Sequence, residues 1–152
     1  MKILYLSTNN MVRSILAESI TRKYMYMDIK AASGGSDPGD DIHPVAYRVL
    51  KDKRYSCNNL VSKSWDVHYG WEPNIVITLC NQVLKRKCPT YVGQAVHVHW
   101  GLDDPTKKFG NMEENIKATF NILDERIKKV MDADITNMDK ETLRAHLKKA
   151  AL

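Results

Sequence analysis

At 152 residues, with 43% hydrophobic and 27% charged side chains, the chain has the make-up of one globular domain and not of a disordered segment. Its net charge of +5 favours anionic ligands weakly, and its dispersed basic residues argue for no nucleic-acid partner. No apolar run approaches the ~18 residues of a membrane span, the N-terminal run lacks a signal-peptide cleavage site, and three cysteines fit no disulfide framework. A single domain over residues 1–152, monomeric and cytoplasmic, with no membrane or nucleic-acid partner, is the expectation.

Residues 2–6 are short and apolar and run into Ser7-Thr8-Asn9-Asn10, which predicts a strand ending in a loop. From Ser14, Leu16, Ile20, Tyr24 and Met27 recur at helical spacing. Residues 29–32 read as a second strand, stopped by the turn-rich run 33–39. Pro44 opens a short helix through Leu50. Residues 51–70 are polar and irregular and read as loop. Residues 74–79, with Ile75, Val76, Ile77 and Leu79, carry the near-continuous apolar run of a buried parallel strand. Val96, Val98 and Trp100 alternate with His97 and His99 in a further strand. Asn111 and Glu114 have capping-box spacing. Ile116, Phe120, Leu123, Ile127 and Val130 then form the apolar stripe of a long helix. Asp139 caps a last helix over 140–150. Strands alternating with helices imply an α/β domain with a mostly parallel sheet, and ligands in such sheets bind where strands end and helices begin.

The first such place is residues 7–14. Successive N–H groups of such a loop form a nest. The helix N-terminus adds partial positive charge, and Arg13 supplies a planar fork for two oxygens. Together they suit a tetrahedral oxyanion. The same pattern also describes a solvated arginine in an ordinary strand–loop–helix connection.

Ser7, five residues, then Arg13-Ser14, with Asn10 inside, resembles the Cys-x5-Arg-Ser phosphate loop of the low-molecular-weight protein tyrosine phosphatases. The chain is more similar still to their thiol-dependent arsenate reductase relatives. Ala17-Glu18 follows at the family's place, and Ser33-Gly34-Gly35-Ser36 resembles its Ser-Ala-Gly segment. Thr78-Leu79-Cys80, Cys88-Pro89, and His99 to Pro105 match the reductase branch, and 62–66 with the last helix resemble one bacterial group. The resemblance implies a three-layer α/β sandwich with a small, mostly parallel four-stranded sheet and the phosphate loop after strand 1. It implies an oxyanion (phosphate, sulfate or arsenate) held by Ser7, Thr8, Asn9, Asn10, Met11, Val12, Arg13 and Ser14, with no tightly bound cofactor and no metal.

The departures concern the chemistry. Ser7 stands where the family has its nucleophilic cysteine. Asn9 stands where glycine is usual, and asparagine is the next best residue for a left-handed backbone. Met11 and Val12 replace small or thiol residues. A serine hydroxyl needs an adjacent base to become a nucleophile, and no histidine or carboxylate lies inside this loop. Anion binding is therefore expected to survive while the first chemical step is lost, whether Ser7 is an engineered trap or natural.

Cys80 and Cys88 lack zinc spacing. In the reductases a loop cysteine forms the arsenic adduct. The cysteine matching Cys80 attacks it and releases arsenite, and the one matching Cys88 resolves the disulfide for a thioredoxin- or glutaredoxin-like reductant. Lys85, Arg86 and Lys87 favour a thiolate at Cys88. Cys57 matches no motif. Asp104-Pro105 matches the family's general acid, with a raised pKa expected beside an anion; Asp103 is the weaker candidate, and Asp-Asp-Pro also suits a plain turn. In some reductases a potassium ion is held by groups matching Asn10, Glu18 and Ser33, and Lys63 aligns with its remaining acidic ligand. His97 and His99 read as strand residues, not ligands. Trp65 and Trp71 suit either a site rim or packing. A phosphatase acting on aryl phosphates and a non-catalytic oxyanion or phosphoprotein binder remain the alternatives.

Overall fold

The computed structural model describes residues 1–85 and 94–152. Strands β1 (Lys2–Ser7), β2 (Lys30–Gly35), β3 (Ile75–Thr78) and β4 (Val96–His99) form one sheet in the order β2-β1-β3-β4, with every neighbouring pair parallel. The helices are α1 (Arg13–Arg22), α2 (Pro44–Asp52), α3 (Met112–Met131) and α4 (Lys140–Ala150). β1 has a strand on either side and a covered surface above and below, which is why Ile3, Leu4, Tyr5 and Leu6 are all apolar. Ile3, Tyr5, Ile75, Ile77, Val96 and Val98 share the larger core with the apolar stripes of the four helices. Leu4, Leu6 and Val76 face the other way, under Trp65 and Val83. These come from single 3-10 turns, Trp65–His68 and Gln82–Lys85, so among the described residues short turns cover this face. β4 is an edge strand, buried and exposed in alternation, and this puts His97 and His99 outside.

Caps fall where the sequence places them. The Asn111 side chain accepts from the Glu114 N–H at 3.0 Å, and Asp139 from that of Thr142 at 2.8 Å. Three expectations are corrected. α1 stops at Arg22, so Tyr24 and Met27 lie beyond it; a 3-10 turn over Met25–Met27 and Asp28 at φ 60° swing the chain back into β2. A parallel connection must return to the sheet's starting edge, which overrides the helical period. β2 runs on through Ser33, Gly34 and Gly35, the start of the expected turn run. Those glycines admit close neighbours: a Cβ on Gly34 would sit 2.7 Å from the Trp65 Cα, and one on Gly35 2.6 Å from the Thr8 carbonyl oxygen. The expected loop 51–70 contains the end of α2 and the Trp65–His68 turn, capped by the Ser64 side chain.

Candidate functional site

β1 delivers Ser7 to the C-terminal end of the sheet, and α1 begins six residues later at Arg13. The N-cap residue Val12 has no capping side chain, and the first turn of α1 has no acidic residue. The loop carbonyls are instead tied outward. Thr8 accepts from the Asp37 N–H, Asn9 from Gly39, and Met11 from His43, at 2.8 to 3.1 Å. Among the described residues, the N–H groups of Asn9, Met11, Val12, Arg13 and Ser14 donate to no other group. A helix start with unused donors and no acid of its own suits an anion.

Asn10 holds the loop in this shape. It is fully buried, and it is the residue in the left-handed region, at φ 52°. The expectation that placed this role on Asn9 is corrected. The Asn10 amide donates to Ser14 Oγ at 2.7 Å and to Ser33 Oγ at 3.0 Å, and it accepts from the Lys63 N–H at 2.9 Å. Ser7 Oγ lies 2.6 Å from Ser14 Oγ and accepts from the Asn10 N–H at 3.2 Å. None of these partners is a carboxylate or an imidazole.

Arg13 is nearly buried. It donates to the Leu102 carbonyl at 2.9 Å and lies 3.6 Å from Asp104 Oδ2. The segment 101–105 thus meets the loop through a carbonyl that the sequence does not mark. Asp104 is also the cap of a short turn, accepting from the N–H and hydroxyl of Thr106 at 2.9 and 2.7 Å. The residue expected to be the acid is therefore also the one that caps this turn. Burial pushes its carboxyl up, but the Thr106 bonds and the charges of Arg13 and Lys107 outweigh this and hold it below the ordinary value. A cavity of about 90 Å3 lies here, lined among others by Met11, Arg13, His43 and Asp104. His43 carried no signal in the sequence beyond preceding Pro44.

Cys80 is buried, with Sγ 3.2 Å from the Thr8 hydroxyl, at the edge of the loop. Cys88, Arg86 and Lys87 lie outside the described residues. Cys57 is distant in the 53–60 loop, and burial pushes its thiol up against the opposing charges of Lys51 and Arg22. Behind the loop, Ser33 donates to Glu18 at 2.6 Å, Arg22 pairs with Glu18 at 2.7 Å, and the Lys63 ammonium lies 3.4 Å from Glu18 and 3.2 Å from Ser33 Oγ. Burial pulls the Lys63 ammonium down, opposed by Glu18. Among the described residues no cluster of three metal-ligating side chains occurs, and no helix is long and apolar enough to cross a membrane. Trp65 packs in the second core layer, against Gly34. His99 bonds Thr78 and Asn81.

The sequence pattern of the low molecular weight phosphotyrosine protein phosphatases matches residues 2–146. The chain belongs to this family. Within it, the chain is 32% identical to an arsenate reductase of Bacillus subtilis over 114 residues, 74% of this chain and 81% of that one. It is 29% identical to an arsenate reductase of Halalkalibacterium halodurans, over 84% of this chain and 91% of that one. Solved phosphatase-family structures share its fold. An arsenate reductase in the phosphate-binding state superposes with a TM-score of 0.72 at 20% identity, over 86% of this chain and 96% of that one. A low molecular weight protein tyrosine phosphatase from T. tengcongensis gives 0.71 at 22% identity, over 87% and 98%. The thioredoxin-dependent arsenate reductase of Corynebacterium glutamicum gives 0.65 at 23% identity, over 90% of this chain and 63% of that one.

Proposed function

We propose that residues 7–14 bind a tetrahedral dianionic oxyanion, arsenate or phosphate, on an arsenate-reductase scaffold whose nucleophile position carries Ser7. The observation behind this is the setting of Ser7 Oγ. It sits at the foot of a loop with unused N–H donors, and among the described residues it is bonded only to Ser14 and the Asn10 N–H. With no base in contact the hydroxyl stays neutral and adds no charge to repel a dianion. The chain as written therefore binds without the first turnover step. Arg13, turned inward by Leu102 and Asp104, supplies the fork; Asp104 is the acid that a bound dianion pushes up toward a proton-donating state.

The reductase reading is supported by Cys80 at the loop edge, in reach of a group bound there, since a plain phosphatase has no use for a second thiol at that place. Paired with Cys88, it would carry the disulfide that a thioredoxin- or glutaredoxin-like partner reduces. Calorimetric titration with phosphate, arsenate and sulfate tests the binding. Heat is expected in the wild type and at least a tenfold weaker affinity in Arg13→Ala; flat traces with all three anions refute the site. Ser7→Cys tests the chemistry: arsenate plus a thiol reductant is expected to give arsenite, and failure with both arsenate and an aryl phosphate refutes the scaffold reading. An aryl phosphatase without arsenate reduction would favour the family's other branch. Mass mapping after mild oxidation is expected to show a Cys80–Cys88 link.

A further inference from the structure

A cleft of about 670 Å3 opens at the far end of the sheet from the phosphate loop. Its floor is the start of β2, where Lys30 pairs with Lys2; Ser7 lies five residues along β1, roughly 17 Å away at ~3.3 Å per residue. Trp71, which packs with the core under one face of the sheet, stands on one side. Tyr55, which packs under the other face, stands opposite with Arg54, Asn58 and Asn59. The cleft therefore straddles a sheet edge.

That edge is partly open. The Lys30 N–H donates to the Met1 carbonyl at 2.9 Å, so Lys30 faces its polar groups toward β1. In a strand the next residue faces the other way, so the N–H and C=O of Ala31 point out of the sheet, into the cleft. Further along, the chain covers this outer side itself. The Ser33 carbonyl meets His68 Nε2 at 2.7 Å, and the Gly35 N–H donates to the Lys63 carbonyl at 2.9 Å beside a parallel bridge from Gly35 to Ser64. The edge thus already takes an extended backbone, and that cover ends before Ala31.

The charge of the cleft is one-sided. Among the described residues none that lines it is acidic. Arg22 and Lys23 carry pairs with Glu18 and Asp124. Among the described residues Lys30 and Arg54 make no ion pair, and the side-chain amides of Asn58 and Asn59 make no hydrogen bond. Unpaired cations and free amides beside an outward backbone pair match an acidic polypeptide better than a small anion, which would leave Ala31 unused.

We propose that this cleft docks an extended acidic segment of a partner protein, which adds to the open part of β2 through the N–H and C=O of Ala31 and sets its carboxylates against Lys30 and Arg54. Trp71 offers the apolar wall. The site is independent of the phosphate loop, and both can be filled at once.

The test is fluorescence anisotropy with a fluorescein-labelled pool of pentapeptides in which Asp or Glu alternates with Val, Leu or Phe, against a pool with Lys and Arg in the acidic places. Saturable binding of the acidic pool alone is expected. The double variant Lys30→Glu, Arg54→Glu is expected to weaken it at least tenfold. Ala31→Pro removes the outward N–H and leaves the β1 ladder, because proline is tolerated where the N–H faces solvent. It is expected to weaken binding at least tenfold, with Ala31→Val within twofold of wild type. In the wild-type chain the Ala31 amide is expected to gain at least tenfold protection from hydrogen exchange when the pool is bound, a readout that does not depend on a variant folding. Equal binding of both pools, an unprotected Ala31 amide, or full affinity in a folded Ala31→Pro overturns the proposal. So does displacement of the peptides by AMP or by inorganic phosphate at equal concentration, which would assign a small anion instead.

Discussion

Replacing Asn10 by alanine removes three hydrogen bonds from a site with no exposure to water: two donated by its amide, to Ser14 and Ser33, and one accepted from the Lys63 N–H. A buried bond contributes a net ~1 kcal/mol, and the Lys63 N–H is left without its acceptor, so the loss is about 3 kcal/mol. Alanine also has to hold φ 52°, which costs about 1 kcal/mol more than asparagine or glycine. The total of about 4 kcal/mol corresponds to a fall in Tm of roughly 8–16 °C for a chain of this size. Asn10→Gly loses the same bonds but fits the backbone, so it should be the milder change by about 1 kcal/mol. Calorimetric melting and urea titration of the three proteins measure both differences. A loss under about 1 kcal/mol in Asn10→Ala, or a glycine variant no better than the alanine one, would show that Asn10 does not hold this loop as its bonds and dihedral imply.

Gly34→Ala puts a Cβ against the Trp65 backbone at 2.7 Å and should cost about 1–3 kcal/mol, read by urea denaturation, whereas Gly70→Ala, with open space around it, carries only a positive-φ penalty. His68 is held below the usual imidazole value by burial, opposed by its bond to the Ser33 carbonyl. Its neutral form is favoured in the fold, so its contribution is present above about pH 6.5 and is lost as pH falls through its lower folded value. Tm measured from pH 7.5 down to 5 should fall less steeply in His68→Phe than in the wild type; parallel curves would contradict this. Arg13→Lys keeps the charge but loses the planar fork and its bond to Leu102, so phosphate affinity should drop about tenfold, or ~1.4 kcal/mol, by calorimetry.

Much of this protein is written in local chemistry. The apolar runs of β1 and β3, the alternation in β4, the caps at Asn111 and Asp139, and Pro44 at the head of α2 are all statements about a residue and its near neighbours, and they hold in the fold. The spacing from Ser7 to Arg13 likewise marks a strand–loop–helix junction without any distant contact. Long-range packing decided the rest. Helical periodicity through Met27 yielded to the return path into β2, and the glycines at 34 and 35 became strand because Trp65 and Thr8 press against them. That the left-handed residue is Asn10, that Leu102 and Asp104 turn Arg13, and that Lys63 settles beside Glu18 and Ser33 depend on partners 15 to 91 positions apart along the chain. Such partners come together only when the whole sheet closes, and the electrostatic balance at Asp104 follows from that closure, since burial and its neighbours pull in opposite directions.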